Sequence, residues 1–74
     1  MLLHEAIAHV LQTNGRPMSP SEIAQEVNTL GLYKRRDNNP VPSNQISARI
    51  NKYLELFRRY PASRWGLADW PDNL

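Results

Sequence analysis

Basic side chains are concentrated in one stretch of this 74-residue chain. Eight of its nine lysine and arginine residues fall between Lys34 and Arg64, where only two carboxylates accompany them, so this stretch carries a formal charge of +6. The rest of the chain has one arginine against five carboxylates, a charge of −4. A one-sided basic surface is typical of proteins that bind nucleic acid. A charge run kept only for solubility is the simpler alternative, and composition does not separate the two.

Uncharged side chains within the same stretch could read a nucleic-acid sequence. The amides of Asn44 and Gln45 can pair bidentately with adenine in the major groove, and Ala48 could contact a thymine methyl group or let a helix settle close to the bases. Ordinary polar residues on an exposed helical turn would look the same. Further along, Glu55 would repel the DNA backbone, and it predicts where such contact ends.

Candidates for phosphate contact lie at predicted helix starts, in a loop and on predicted strands. Backbone amides and hydroxyls at helix starts bind phosphate readily, although helix capping alone explains Ser19 and Ser43. Arg49 and Lys52 flank the exposed face of a helix and would meet the groove walls. The full set is Ser19, Ser21, Lys34, Arg35, Arg36, Ser43, Ser47, Arg49, Lys52, Arg58, Arg59 and Arg64. Each neutralised phosphate should steepen the dependence of binding on salt by about 0.9 in the log–log slope.

Residues for catalysis, or for a metal or cofactor site, are not grouped in this sequence. His4 and His9 are five residues apart and do not share a helical face, while Glu5 and His9 form an i, i+4 pair typical of a surface contact. The chain has no cysteine and no Gly-rich phosphate loop. The apolar segment 2–11 is too short and too interrupted to span a membrane. We therefore expect no enzyme, no cofactor and a cytoplasmic location, on the nucleoid if the source is bacterial.

Two predicted helices precede the basic stretch. Apolar residues spaced i, i+3, i+4, i+7 and i+8 predict a buried face, and Asn14-Gly15 ends that helix. Residues 19–22 (Ser-Pro-Ser-Glu) supply a cap, a proline suited to the first position and the glutamate of a capping box. Gly31 followed by Leu32 predicts a left-handed stop. The apolar positions are Leu3, Ala6, Ile7, Val10 and Leu11 in the first helix and Ile23, Ala24, Val27 and Leu30 in the second.

A loop, a third helix and a hairpin follow. Residues 33–41 have the composition of a loop, and Pro42-Ser43 opens a helix predicted to run to about Phe57. Two short strands, 58–60 and 64–67, are predicted around a tight turn. The third helix has its apolar positions at Ile46, Ile50, Tyr53, Leu54 and Phe57. Core positions are also predicted for Trp65 and Trp70, and more open ones for Tyr33 and Tyr60. This order predicts a mainly α fold with a small β-hairpin, the winged helix-turn-helix of three helices and a C-terminal wing.

Short sequences along nearly the whole chain resemble one family in their order and spacing. They are Pro17 leading into Glu22-Ile23-Ala24, then Gly31-Leu32-Tyr33, Ile46-Ser47-Ala48-Arg49-Ile50, and Trp65-Gly66-Leu67 with Trp70 behind it. Together they resemble the HARE-type winged helix-turn-helix domain. That family is similar in build to the N-terminal domain of a bacterial RNA polymerase delta subunit, and it is appended to restriction and DNA-modification proteins and to chromatin factors. The resemblance implies DNA binding, and the sensing of modified bases is a hypothesis carried by the resemblance alone.

We expect residues 1–70 to form one monomeric domain and residues 71–74 a frayed tail. The chain departs from the family in a more basic loop at 34–37 and a compact wing turn, which weakens the case for base contacts from the wing. The expected partner is double-stranded DNA, plain or modified, with a fused or associated catalytic domain. One alternative is sequence-independent duplex binding. The other is a protein-interaction module whose third helix docks an acidic partner, such as a transcription or polymerase component.

Overall fold

The computed structural model describes residues 1–71 and contains three helices followed by an antiparallel hairpin. The elements are α1 (Leu3–Asn14), α2 (Pro20–Leu30), α3 (Ser43–Lys52), β1 (Phe57–Tyr60) and β2 (Arg64–Leu67). The predicted winged helix-turn-helix order is confirmed, with the hairpin as the wing. Beyond Pro71, the frayed tail predicted for residues 71–74 lies outside the described residues. Within residues 1–71, no helix is long and apolar enough to cross a membrane.

The limits of α1 and α2 are those that their sequence signals predict. Gly15 and Gly31 adopt left-handed backbone conformations, with φ of 66° and 64°, which glycine reaches without steric strain. At the start of α2, the Ser19 hydroxyl accepts from the Glu22 N–H at 3.2 Å, and the Glu22 carboxylate accepts from the Ser19 N–H at 2.9 Å. The capping box is therefore present. At the other end, the Leu32 N–H donates to a carbonyl of the last turn at 3.1 Å.

An apolar core joins the three helices to the link between α1 and α2, to the loop and to the hairpin. The predicted faces of α1 and α2 are buried except for Leu30, which is 52% exposed. Leu30 is the last residue of α2, and after the turn at Gly31 it is Leu32 that packs against the core instead. The buried side chains are Leu3, Ala6, Ile7, Val10, Leu11, Met18, Ile23, Ala24, Val27, Val41, Ile46, Ile50 and Phe57.

The third helix is shorter than its sequence predicts. It ends at Lys52 rather than near Phe57, and Tyr53 at its end has a non-helical backbone, with φ of −126° and ψ of 50°. The next residues form turns before Phe57 enters β1, so Leu54, predicted on the buried face, is 54% exposed. No glycine or proline marks this end, and the helical periodicity continues through it. Pairing of β1 with β2 overrides that local pattern, so the predicted helix end was wrong.

The hairpin has one side on the core and an outer side covered by Trp70. Arg59 is paired with Trp65, and Arg58 with Gly66. Because side chains alternate along a strand, Arg59 and Trp65 share the core side, whereas Arg58 and Gly66 share the outer side. Trp70 packs directly over Gly66, and it also contacts the core. The sequence correctly predicts that Trp70 folds back.

The link between α1 and α2 is also a partner of the wing. Met18 and Trp65 form an antiparallel bridge in which each N–H donates to the other's carbonyl, at 2.9 and 2.8 Å. The link was predicted to be extended, but its pairing with β2 was not predicted. This bridge holds the wing beside the start of α2.

Candidate nucleic-acid interface

One asparagine fixes the segment that leads into α3 to the preceding helix. The Asn28 side chain donates from Nδ2 to the Val41 carbonyl at 3.0 Å, and the Val41 N–H donates to Asn28 Oδ1 at 2.9 Å. Sequence reasoning missed Asn28, for which the only local signal is a polar residue in the last turn of α2. These reciprocal bonds set where α3 begins relative to α2.

The first turn of α3 is not capped by a side chain. The sequence suggests a capping function for Ser43, but Ser43 is the first helical residue, and Pro42, whose side chain has no acceptor, occupies the N-cap. That interpretation of Ser43 is therefore corrected. The first N–H groups of a helix have no partner within the helix, and the helix dipole attracts anions to them. The half-buried Ser43 adds a hydroxyl at this open end.

The three side chains predicted to read bases lie together on the side of α3 away from the core. Ile46 and Ile50 bury the opposite side. Asn44 and Ala48 are exposed and Gln45 is half-buried. The predicted flanking residues border this side, with Ser47 and Arg49 half-buried and Lys52 exposed. The first two turns of α3 therefore combine amide groups, a small residue and nearby positive charge.

Asn44 is unlike the other asparagines of the helices because its side chain is uncommitted. Asn14 donates to a carbonyl of its own helix at 2.8 Å, and so does Asn51 at 2.9 Å, while Asn28 is held by the loop. Within residues 1–71, neither the Asn44 nor the Gln45 side chain has a hydrogen-bond partner. Their donors and acceptors are open to a ligand.

The basic cluster of the loop is divided between solvent and an internal network. Lys34 and Arg36 are exposed. Arg35 is half-buried, where it donates to a loop carbonyl at 3.3 Å and pairs with Asp37 at 3.1 Å. The Asn39 N–H, and after it the Arg35 guanidinium, hold the pKa of Asp37 below its ordinary value. Arg35 therefore orders the loop, and Lys34 and Arg36 are its cations most open to an anion.

The arginines of β1 point to opposite sides of the wing, as strand alternation predicts. Arg59 is exposed, with its guanidinium 6.0 Å from the centroid of the Trp65 ring. Arg58 is half-buried and donates to the Ala68 carbonyl at 3.0 Å. Arg64 is exposed, on the same side as Arg58. Arg59 and Arg64 are therefore better placed than Arg58 to meet a large anionic partner.

The start of α2 is closed by its own residues. The Ser19 hydroxyl accepts within the capping box, and the Glu22 carboxylate lies over the same turn, 3.7 Å from the Arg16 guanidinium. The Ser19 N–H, helped by Arg16 and Arg64, lowers the pKa of Glu22. Ser21 is exposed beside them. A phosphate here would meet a carboxylate, so this end suits an anion less well than the start of α3.

Aromatic side chains are used in packing rather than displayed on the surface. His4 stacks on Tyr53, with ring centroids 4.1 Å apart, and this joins the start of α1 to the end of α3. Tyr33 and Tyr60, for which the sequence predicts open positions, are half-buried. Tyr33 packs against the core, and Tyr60 lies edge-on to Trp70. None of the four offers a fully exposed ring for base stacking.

Three helices, a two-stranded wing and an open polar face on α3 define a winged helix-turn-helix domain. A family model supports and narrows this class. The model for HARE-HTH, a helix-turn-helix domain described as that of ASXL and restriction endonuclease proteins, matches residues 1–70, and the chain belongs to this family. Membership indicates a DNA-binding helix-turn-helix domain. Neither a curated protein nor a solved structure gives a significant match.

Proposed function

We propose that this chain binds double-stranded DNA with α3 in the major groove, where Asn44 and Gln45 contact base edges. The observation that carries the proposal is their two uncommitted amides, one turn from Ala48 on the solvent-facing side of α3. An amide side chain can donate to and accept from adenine at once. The recognition helix of a helix-turn-helix contacts bases through its N-terminal residues, and both amides lie in the first turn.

Phosphate contacts in this proposal come from the start of α3 and from the cations around it. Ser43 and the uncapped N–H groups beside it receive one phosphate, and such contacts set the register of a protein on the duplex. The remaining contacts come from Lys34, Arg36, Ser47, Arg49, Lys52, Arg59 and Arg64. Arg35 and Arg58 contribute mainly by ordering the segments to which they are bonded. Ser19 and Ser21 are secondary, because the Glu22 carboxylate shares their turn.

We further propose that the domain distinguishes modified from plain duplexes, as a module of a restriction or modification system with a fused or associated catalytic domain. The family description, which includes restriction endonucleases, supports this proposal. A methyl group on C5 of a pyrimidine projects into the major groove, where the small Ala48 side chain leaves space. Residues 1–70 are proposed to act as a monomeric unit in the cytoplasm, on the nucleoid if the source is bacterial.

Fluorescence anisotropy with plain duplex, methylated duplex and single-stranded DNA, each at two salt concentrations, tests the proposal. We expect duplex binding that weakens steeply with salt, and five phosphate contacts would give a log–log slope of about −4.5. Equal affinity for all duplexes would leave sequence-independent binding and remove the reading function. Absence of salt-dependent binding to any duplex would overturn the proposal and favour a protein partner for α3.

A further inference from the structure

A second candidate surface shares no residue with the proposed interface on α3. A groove of about 300 Å³ opens between α1, the turn that follows α3 and the segment after β2. Its apolar lining is Ala8, Leu56, Leu67 and Ala68, and its polar lining is Gln12, Glu55 and Asp69. Leu56 is 41% exposed, and Leu54 in the same turn is 54% exposed. Exposed leucines beside a recess are typical of a surface that binds a partner.

The groove is a built feature of the fold. Because α3 ends at Lys52, the chain turns and presents Leu56 outward before β1 begins. The Leu56 N–H donates to the Tyr53 carbonyl at 2.9 Å, and the Leu56 carbonyl accepts from the Ala68 N–H at 2.9 Å. These bonds tie the turn to the segment after β2, so two walls of the groove are held together.

The polar rim of the groove is acidic. Glu55 and Asp69 supply two carboxylates, and no lysine or arginine belongs to the lining. In the part of the chain that the structure describes, neither carboxylate is in an ion pair. Arg58 is close, because it donates to the Ala68 carbonyl, but it does not line the groove. An apolar recess with uncompensated negative charge favours an occupant that is apolar and basic.

We propose that this groove docks an amphipathic, basic helix of a partner protein. Leucine-like side chains of the partner would enter between Leu56 and Leu67, and its lysines or arginines would meet Glu55 and Asp69. An acidic helix would be repelled by the same rim. A second copy fits less well, because its basic residues are concentrated in the stretch 34–64 that the DNA proposal uses. The inference goes beyond DNA binding and does not depend on it.

A titration of the isotope-labelled chain, followed by amide NMR, tests this docking site. The probe is a helical peptide of about 15 residues, with leucines at i, i+3, i+4 and i+7 and lysines elsewhere. The matched probe carries glutamates in place of the lysines. We expect the lysine peptide to shift the amide signals of Ala8, Gln12, Leu56 and Ala68, and the glutamate peptide to leave them in place.

Variants separate docking from general attraction between charges. The double change Glu55→Lys with Asp69→Lys should weaken binding of the lysine peptide at least about tenfold, and Leu56→Gln should weaken it about tenfold. Leu30→Gln is the matched control, since Leu30 is as exposed as Leu54 but lies at the end of α2, and it should change nothing. DNA affinity should be unaffected by Leu56→Gln, which would separate failure here from failure of the DNA proposal.

Three results would overturn the inference. The lysine peptide could leave the groove amides unshifted, both peptides could shift them equally, or the double variant could bind the lysine peptide with unchanged affinity. Shifts of the same amides with protein concentration alone, without peptide, would identify a second copy as the occupant and also overturn it.

Discussion

Asn28 in α2 and Val41 at the end of the loop exchange two hydrogen bonds, at 3.0 and 2.9 Å, across thirteen positions of the chain. One side-chain amide satisfies both backbone groups of Val41, whose own side chain is buried in the core. The next two residues are Pro42, the N-cap of α3, and Ser43, its first residue. Asn28 is therefore a positioning residue: it lies outside the candidate interface and determines where that interface begins.

Asn28→Ala should lower the free energy of unfolding by about 1–3 kcal/mol, because two backbone groups of Val41 lose their partners. Urea unfolding measures the change. Asn39→Ala is the control, since Asn39 is an exposed loop residue, and it should have little effect. Where both variants are folded, only Asn28→Ala should weaken DNA binding. Equal unfolding midpoints for Asn28→Ala and the unmodified chain would show that the clamp is dispensable.

Gly66→Ala should lower the free energy of unfolding by about 1–3 kcal/mol through overpacking. A Cβ at this position would lie 2.6 Å from a ring carbon of Trp70 and 2.7 Å from one of Tyr60. Thermal unfolding followed by tryptophan fluorescence measures the effect. Ala62→Gly in the wing turn is a useful contrast, because Ala62 has a φ of 65° and glycine reaches that conformation without strain; it should not destabilise. A wild-type melting temperature for Gly66→Ala would mean that Trp70 does not cover the wing.

Glu22 should make stability depend on pH in the acid range. Its pKa is lowered chiefly by the Ser19 N–H, with help from Arg16 and Arg64. A carboxyl with a lower pKa in the folded state stabilises the fold fully above its ordinary pKa of 4.5, and this contribution is lost as pH falls through the folded value. Glu22→Gln should therefore be less stable than the parent near neutral pH and show a shallower loss on acidification. Urea unfolding from about pH 7 to pH 3 checks this, and parallel curves would contradict it.

Local chemistry made the first half of the fold predictable. The ends of α1 and α2 depend on Gly15, on the Ser19–Glu22 capping box and on Gly31, and each acts within a few residues. The end of α3 depends instead on β1 pairing with a strand that comes later in the chain. Periodicity over residues 53–57 could not reveal that, since leucine and phenylalanine suit a helix as well.

The candidate site was predictable in its residue types but not in their availability. Asn44 and Asn51 lie on the same helix, yet only the Asn51 amide is bonded to the Ser47 carbonyl. Likewise Arg35 and Arg36 are adjacent, and only Arg35 turns into the loop to meet Asp37. Which side chains are free is decided by tertiary neighbours, and the charge pattern treats all of them alike.

Arg36→Ala should reduce affinity for every duplex alike and lower the log–log salt slope by about 0.9, the value for one phosphate contact. Anisotropy at several salt concentrations measures this slope. Arg16→Ala is the matched control, because Arg16 pairs with Glu22 at the far end of α2, and it should leave the slope unchanged. Charge reversal of both Arg35 and Arg36 to Glu should weaken binding further, although Arg35 also orders the loop. An unaltered slope for Arg36→Ala would remove this side chain from the interface.

Asn44→Ala with Gln45→Ala should remove preference among duplexes while keeping most of the salt dependence. Each bidentate amide–base pair contributes about 1–3 kcal/mol of discrimination, whereas the phosphate contacts do not depend on sequence. Anisotropy competition between plain and methylated duplexes measures the preference. Asn51→Ala is the matched control, since the Asn51 amide is already bonded to its own helix; it should keep the preference of the parent chain. If the double variant still discriminates, α3 is not the reader, and base contacts must come from another element.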